Sequence, residues 1–181
     1  SVAEFVNYNL QNIQICYNPT DDYYLLVWIN VQGGGSLHQL RTRVATVSSN
    51  GSITYGSELG LGSATHGSAN PSVSYDSSAN KFLVCWRNTS ESNRLYSAVV
   101  SVSGTTCSSG TVVEMSTDNV DQIASEYDPD NNKHLVCFRN NTQAGLKGKA
   151  RLATISGTNV SFGSEVEMDG NNQLKYMTLA Y

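Results

Sequence analysis

Charge is scarce in this 181-residue chain. Asp, Glu, Lys and Arg make up only 14 %, and a net charge of −4 is spread along the length with no acidic or basic block. That argues against nucleic-acid binding, which needs a basic stripe to displace counterions from phosphates. No apolar run approaches the roughly 20 residues of a membrane-spanning helix. No stretch sustains a 3.6-residue period, so helices are expected to be almost absent. No two of the four cysteines lie two to four residues apart and the three histidines do not cluster, which leaves zinc without a ligand set. No cofactor is expected.

The chemistry of common enzymes is also thin. No Gly-x-Ser-x-Gly elbow or phosphate loop occurs, and the run Gly33-Gly34-Gly35 precedes no helix. A Ser-His-Asp site would need His38, His66 or His134, and His134 stands at a strand position equivalent to Phe82. Glycoside hydrolysis needs two carboxylates about 5 to 10 Å apart across a sugar. Most aspartates here fall in turns, where they serve the backbone, and no pair stands out. The expectation is a protein that is not an enzyme. The chain opens on Ser1 with no signal peptide, as expected of a mature or processed form.

What is present is a repeat. Tyr17-Asn18, then Tyr24-Leu25-Leu26-Val27-Trp28-Ile29-Asn30, returns as Tyr75-Asp76, then Phe82-Leu83-Val84-Cys85-Trp86-Arg87-Asn88. It returns again as Tyr127-Asp128, then His134-Leu135-Val136-Cys137-Phe138-Arg139-Asn140, and the chain ends on Leu179-Ala180-Tyr181, the opening of a fourth copy. Successive tyrosines are 58, 52 and 54 residues apart. A period of this size signals stacked units that cannot bury their apolar faces alone.

Each copy parses into four strands, a to d, divided by turn residues. Blade one spans 13–61, blade two 71–115 and blade three 123–168. Asp76 to Asn80 and Asp128 to Asn132 join a to b, with residues that tolerate left-handed backbone and bond their own chain. Ser103-Gly104-Thr105 and Ser156-Gly157-Thr158 join c to d as tight hairpins. The expected fold is all-β: three four-stranded antiparallel repeats stacked as β-propeller blades, in a single repeat domain. A β-trefoil is the alternative.

Trp28, Trp86 and Phe138 share one position of strand b and are expected between blades, where a large aromatic buries most area. The phenols of Tyr17, Tyr75 and Tyr127, at the ends of strand a, are expected to cap neighbouring backbone. Gly56, Gly110 and Gly163 in strand d are expected to mark a bulge or a close backbone approach. Cys85 and Cys137 occupy the position of Val27, and Cys107 that of Ile53 and Val160, so buried free thiols are preferred to a disulfide framework. Ser1 to Phe5 match Ser164 to Met168, giving an extra strand d at 1–6. With an extra strand a at 176–181 the count reaches fourteen strands. Three blades are too few for an ordinary propeller, so the unfinished ends are expected to meet further sequence or another chain.

The pattern Tyr75-Asp76…Asn80-Lys81…Trp86-Arg87-Asn88 and Tyr127-Asp128…Asn132-Lys133…Phe138-Arg139-Asn140 resembles propeller-like repeats of bacterial surface proteins, phage tail-fibre-like proteins and propeller lectins. The first copy departs from it, with Asn18 for the Asp and Ile29 for the Arg. The resemblance implies a secreted or surface-displayed, non-catalytic module that binds carbohydrate or another surface ligand. The candidate ligand residues are Arg87, Asn88, Arg139 and Asn140, a guanidinium beside an amide on adjacent blades, with Asp76 and Asp128. A bland reading pairs each Arg with a carboxylate and gives each Asn to a turn. Asn88 and Asn140 also fit the glycosylation triplet. The rival functions are a structural protein self-assembling through its unfinished blades into a ring or fibre, and a fragment of a glycan-processing propeller enzyme. The expected partners are a glycan or surface ligand and further copies of the repeat.

Overall fold

The computed structural model describes residues 5–6, 9–32, 37–62, 67–142 and 146–169. Among them there is no helix, and fifteen strands form three antiparallel sheets. The first holds β1 (Leu10–Asn18), β2 (Tyr23–Gln32), β3 (Leu37–Val47), β4 (Ile53–Tyr55) and β5 (Leu59–Leu61). The second holds β6 (Ser68–Asp76), β7 (Lys81–Asn88), β8 (Arg94–Ser103), β9 (Thr106–Ser109) and β10 (Val113–Ser116). The third holds β11 (Val120–Asp128), β12 (Lys133–Asn140), β13 (Gly148–Ser156), β14 (Asn159–Phe162) and β15 (Val166–Asp169). Each repeat is a meander with its own sheet, and the sheets stack face to face without closing. This is the three-blade propeller-like arrangement, not the trefoil.

Strand d departs from the expected single strand. In every blade it splits into two short strands, β4 and β5, β9 and β10, β14 and β15, both paired with strand c. The break begins at Gly56, Gly110 and Gly163, whose amides donate to Val44, Val99 and Leu152 carbonyls at 2.9, 2.8 and 2.9 Å. The reason lies in the next blade. A Cβ on Gly56 would overlap the Thr105 carbonyl oxygen and stand 2.9 Å from its carbon; one on Gly110 would meet Thr158 in the same way. Thr105 and Thr158 belong to the c–d turns of the following blade. The glycine is thus a seat for that turn, and the close approach expected from sequence is an inter-blade contact. Gly163 has no such neighbour, its nearest being Leu152 at 3.8 Å.

Side chains alternate across a strand, so strand b presents one row to each neighbouring blade. Leu25, Val27 and Ile29 of β2 meet Phe82, Val84 and Trp86 of β7 in one core. Leu83 and Cys85, on the other face of β7, meet Val136 and Phe138 of β12 in a second. Sandwiching on both faces explains why β7 is an almost unbroken apolar run. Full burial of each such side chain contributes roughly 1.5–3 kcal/mol. Trp28, Trp86 and Phe138 are all buried, as their shared position requires. All four cysteines are free; Cys85, Cys107 and Cys137 are buried and Cys16 half-buried.

The face of the first blade that has no blade before it is covered otherwise. Phe5 packs edge-on against Trp28 at 4.8 Å, and its carbonyl accepts a hydrogen bond from Arg43 Nη1 at 2.6 Å. In the third blade the equivalent Arg151 donates to the carbonyl of Met115, in the last short strand of the second blade. Arg43 and Arg151 each also hold their own blade's Gly56 or Gly163 carbonyl. Phe5 therefore occupies the place of Met115 in a preceding strand d, as the match to Met168 requires. The rest of the expected strand at 1–6 and the whole expected strand at 176–181 lie outside the described residues, except for Val6, which joins the same cluster.

Candidate functional site

Asx turns shape the a–b end of every blade. The Asn18 side-chain Oδ1 accepts amides of Thr20 and Asp21 at 2.8 and 3.2 Å; Asp76 Oδ1 accepts Ala79 at 2.7 Å; Asp128 Oδ1 accepts Asp130 and Asn131 at 3.0 and 3.1 Å. The last turn residue, Asp22, Asn80 or Asn132, is left-handed with φ of 54°, 51° and 51°. These residue types adopt that region at least cost. Of the tyrosines expected to cap backbone, Tyr127 does meet the Ser78 backbone, but all three phenols also reach turn side chains. Tyr17, Tyr75 and Tyr127 hydroxyls donate to the side chains of Asp22, Asn80 and Asn132 at 2.8, 2.8 and 2.9 Å. A left-handed residue aims its side chain back across the turn, within reach of a phenol five positions earlier.

The sequence candidates do not converge on one site. Asp76 and Asp128 serve these turns. At the other end of strand b, Asn88 and Asn140 are buried, and their Oδ1 atoms accept the amides of Ser90 at 3.1 Å and Thr142 at 2.8 Å. Asn30, also buried, holds the same position in the first blade. Arg139 grips Asp121 with two hydrogen bonds of 2.6 Å. Burial pushes the Asp121 carboxyl up, but the Arg139 hydrogen bond, Asn141 and the nearby Arg87 charge outweigh it and hold it below the usual carboxylate value. The Nε of Arg87 is buried without a hydrogen-bond partner. The first blade has Gln11 opposite Ile29 here, so it builds no such pair.

A cleft of about 410 Å³ opens at the joint of the first and second blades. Gly62, Ser68, Trp86, Asn88, Glu91 and Tyr96 are among its lining residues. Of the sequence candidates, Asn88 alone lines it. A Cβ on Gly62 would make ordinary contact with the Trp86 ring at 3.5 Å. The Tyr96 hydroxyl donates to Glu91 and, at 3.2 Å, to Glu114, whose carboxylate also pairs with Arg94 at 2.8 Å. Burial and these two acidic acceptors push the Tyr96 phenol above its ordinary value, so it stays a neutral donor. Sequence reading missed Glu91 and Tyr96 because they sit in the b–c loop and strand c, where the three copies differ most. A second depression of about 280 Å³ lies where the inner strands meet, lined by Asn12, Gln14, Asn70, Pro71, Gln122 and Ile123. Asn12, Asn70 and Gln122 are left-handed bulge residues with φ of 51°, 49° and 49°.

His134, Ser74 and Asp76 come together across the second and third blades. Ser74 Oγ lies 2.8 Å from His134 Nδ1, and Asp76 Oδ2 lies 3.6 Å from Nε2. Burial opposes the Asp76 charge, but the neighbouring His134 ring and the hydrogen bond from the Ala79 amide hold its carboxyl below the usual value. The residue types are those of hydrolytic triads, yet all three are buried and His134 has no exposed surface. They form an inter-blade clamp. Among the described residues no group of three His, Cys, Asp or Glu side chains is placed to hold a metal ion. No helix of the described residues is long and apolar enough to cross a membrane.

No protein-family model and no curated protein sequence matches this chain. Among solved structures it is similar to the exo-β-1,3-galactanase from Phanerochaete chrysosporium, crystallised with β-1,3-galactotriose, at a TM-score of 0.52 and 12 % identity. The match covers 88 % of this chain and 36 % of that one. At this identity the likeness is one of fold.

Proposed function

We propose that this chain is a non-catalytic, extracellular β-propeller-like repeat module that binds carbohydrate. The observation carrying this reading is the cleft between the first and second blades. Its size falls within the 300–1,000 Å³ typical of small-molecule sites, and it presents the ring of half-buried Tyr96 beside the carboxylate of Glu91, with Trp86, Ser68 and Asn88 buried in its wall. Apolar ring surface suits the C–H faces of a sugar, while a carboxylate and hydroxyls suit its O–H groups. The depression between the inner strands is lined by amides and aliphatic groups, a lining suited to hydrogen-bonding a ligand rather than to the two-carboxylate chemistry of hydrolysis.

Calorimetry following a glycan array on the intact chain tests the reading. Binding is expected for at least one glycan and is expected to fall at least tenfold in Tyr96→Ala and in Glu91→Gln. No binding to any sugar, or binding indifferent to both substitutions, refutes it. The exposed apolar side chains of the third blade favour a second reading, a scaffold that joins further blades of its own kind.

A further inference from the structure

The depression where the inner strands meet is made by one irregularity repeated in all three blades. β1, β6 and β11 slip register between Gln11 and Gln14, between Ala69 and Ser72, and between Asp121 and Ile123. Inside each slip stands one non-glycine residue of positive φ: Asn12 at 51°, Asn70 at 49° and Gln122 at 49°. These three line the same depression of about 280 Å³, together with Gln14, Pro71 and Ile123.

Backbone demand alone does not select these residue types. Glycine takes a positive φ without steric cost, and Asn and Asp are the side chains that tolerate it best, which gives Gln122 no such advantage. Asn70 also precedes Pro71, a neighbour that narrows its backbone further. What the three residues share is a carboxamide. The left-handed Asn80 and Asn132 of the a–b turns use theirs to accept tyrosine hydroxyls at 2.8 and 2.9 Å. The side chains of Asn12, Asn70 and Gln122 make no hydrogen bond among the described residues, Asn12 being exposed and the other two half-buried. Polar groups left unused on a costly backbone point to a ligand.

The lining sets the chemistry of that ligand. Each carboxamide offers two N–H donors and one acceptor oxygen, and Gln14 adds a fourth set, while Pro71 and Ile123 supply aliphatic surface. No charged side chain lines the depression among the described residues. Asp121, next to Gln122, is committed to Arg139 by two hydrogen bonds of 2.6 Å. Mixed donors and acceptors without charge match sugar hydroxyls, each of which both donates and accepts. An acidic sugar would lose hydration there and gain no counter-charge. The volume, at the lower end of small-molecule sites, suits one ring rather than a chain. We infer that the inner-strand depression is a second sugar subsite, separate from the cleft, in which Asn12, Asn70 and Gln122 bind the hydroxyls of one uncharged sugar ring. The ligand class rests on the carbohydrate reading; the location and the preference for neutral over acidic sugars do not.

Nuclear magnetic resonance of the nitrogen-15-labelled full chain reads the site directly. The probes are the methyl glycosides of glucose, mannose and N-acetylglucosamine, with methyl glucuronide as the acidic comparison. The side-chain amide signals of Asn12, Asn70 and Gln122 are expected to shift saturably with at least one neutral glycoside, equally so in Tyr96→Ala, and about tenfold more weakly with the glucuronide. Asn70→Gly and Gln122→Gly keep a φ that glycine adopts freely and remove only the carboxamide. Each is expected to lose about tenfold in affinity for that glycoside with an unchanged circular dichroism spectrum, and Asn70→Asp gives the same readout at constant side-chain size. Equal binding of the glucuronide, or affinity indifferent to the three substitutions, overturns the inference. Shifts confined to the cleft around Tyr96 overturn it and leave carbohydrate binding standing, whereas no shift anywhere overturns both.

Discussion

Two alanine substitutions at equivalent glycines isolate the contribution of the inter-blade seat. Gly110 and Gly163 begin the break of strand d in consecutive blades and donate to equivalent strand-c carbonyls at 2.8 and 2.9 Å. Neither needs the left-handed backbone that would penalise alanine by itself. They differ in what a methyl would meet. At Gly110 it would overlap the Thr158 oxygen and lie 2.9 Å from its carbonyl carbon and 3.1 Å from its Cβ; at Gly163 the nearest atom is 3.8 Å away. Real Cβ contacts do not fall below 3.0 Å, so Gly110→Ala must push the Ser156–Asn159 turn away and loosen the second-to-third-blade core. Overpacking of this kind costs about 1–3 kcal/mol, and a backbone obstacle places it at the upper end. Replacing Gly by Ala also stabilises by about 0.4–1 kcal/mol through the unfolded chain. The net expectation is a loss of roughly 2 kcal/mol for Gly110→Ala and a small gain for Gly163→Ala. At about 2–4 °C per kcal/mol for a chain of this size, the two melting temperatures should differ by roughly 6–12 °C. Thermal melts at one protein concentration measure this. Equal melting temperatures would refute the claim that the glycine exists to seat the neighbouring turn.

Three other outcomes are expected. Cys85, Cys107 and Cys137 should resist a thiol reagent in the folded protein and react on denaturation, because burial pushes all three thiols up, Cys107 to about 11; rapid labelling of any of them in buffer would show that the blades open readily. Stability should be lost in acid: Asp76, Asp121 and Asp128 are held below the ordinary value of 3.8, so their contribution is complete above that value and disappears as pH falls through the lower folded-state values. Urea melts should be flat from pH 7 to 5 and fall steeply below about pH 4, and a midpoint rising with acid would contradict the assignment. His134→Phe, which copies Phe82 of the preceding blade, should lower stability by about 1–3 kcal/mol, since it leaves the buried Ser74 Oγ without its partner; an unchanged denaturation midpoint would refute the clamp.

The sequence alone determined the repeat, its all-β character and the four-strand unit. Those features are written locally, in the spacing of Tyr17, Tyr75 and Tyr127, in the alternation along strand b and in Asx residues at each turn. It also located the inter-blade aromatics and glycines, because both occur once per copy. Tertiary structure decided what those residues touch. Gly110 reads in sequence as a bulge or a close backbone approach, and only the stacked neighbour reveals that Thr158 fills its missing side chain. Arg87 and Arg139 look alike in sequence. Yet Asp121 stands opposite Arg139 and Ala69 opposite Arg87, so one guanidinium is paired within its blade and the other has no carboxylate opposite it. Ser74 and Asp76 share β6 of the second blade while His134 lies on β12 of the third, sixty residues from Ser74, and nothing in the sequence links the two strands at that point. A repeat specifies each unit through short-range chain geometry. The contents of a cleft between units depend on side chains that differ from copy to copy, and stacking alone brings those together.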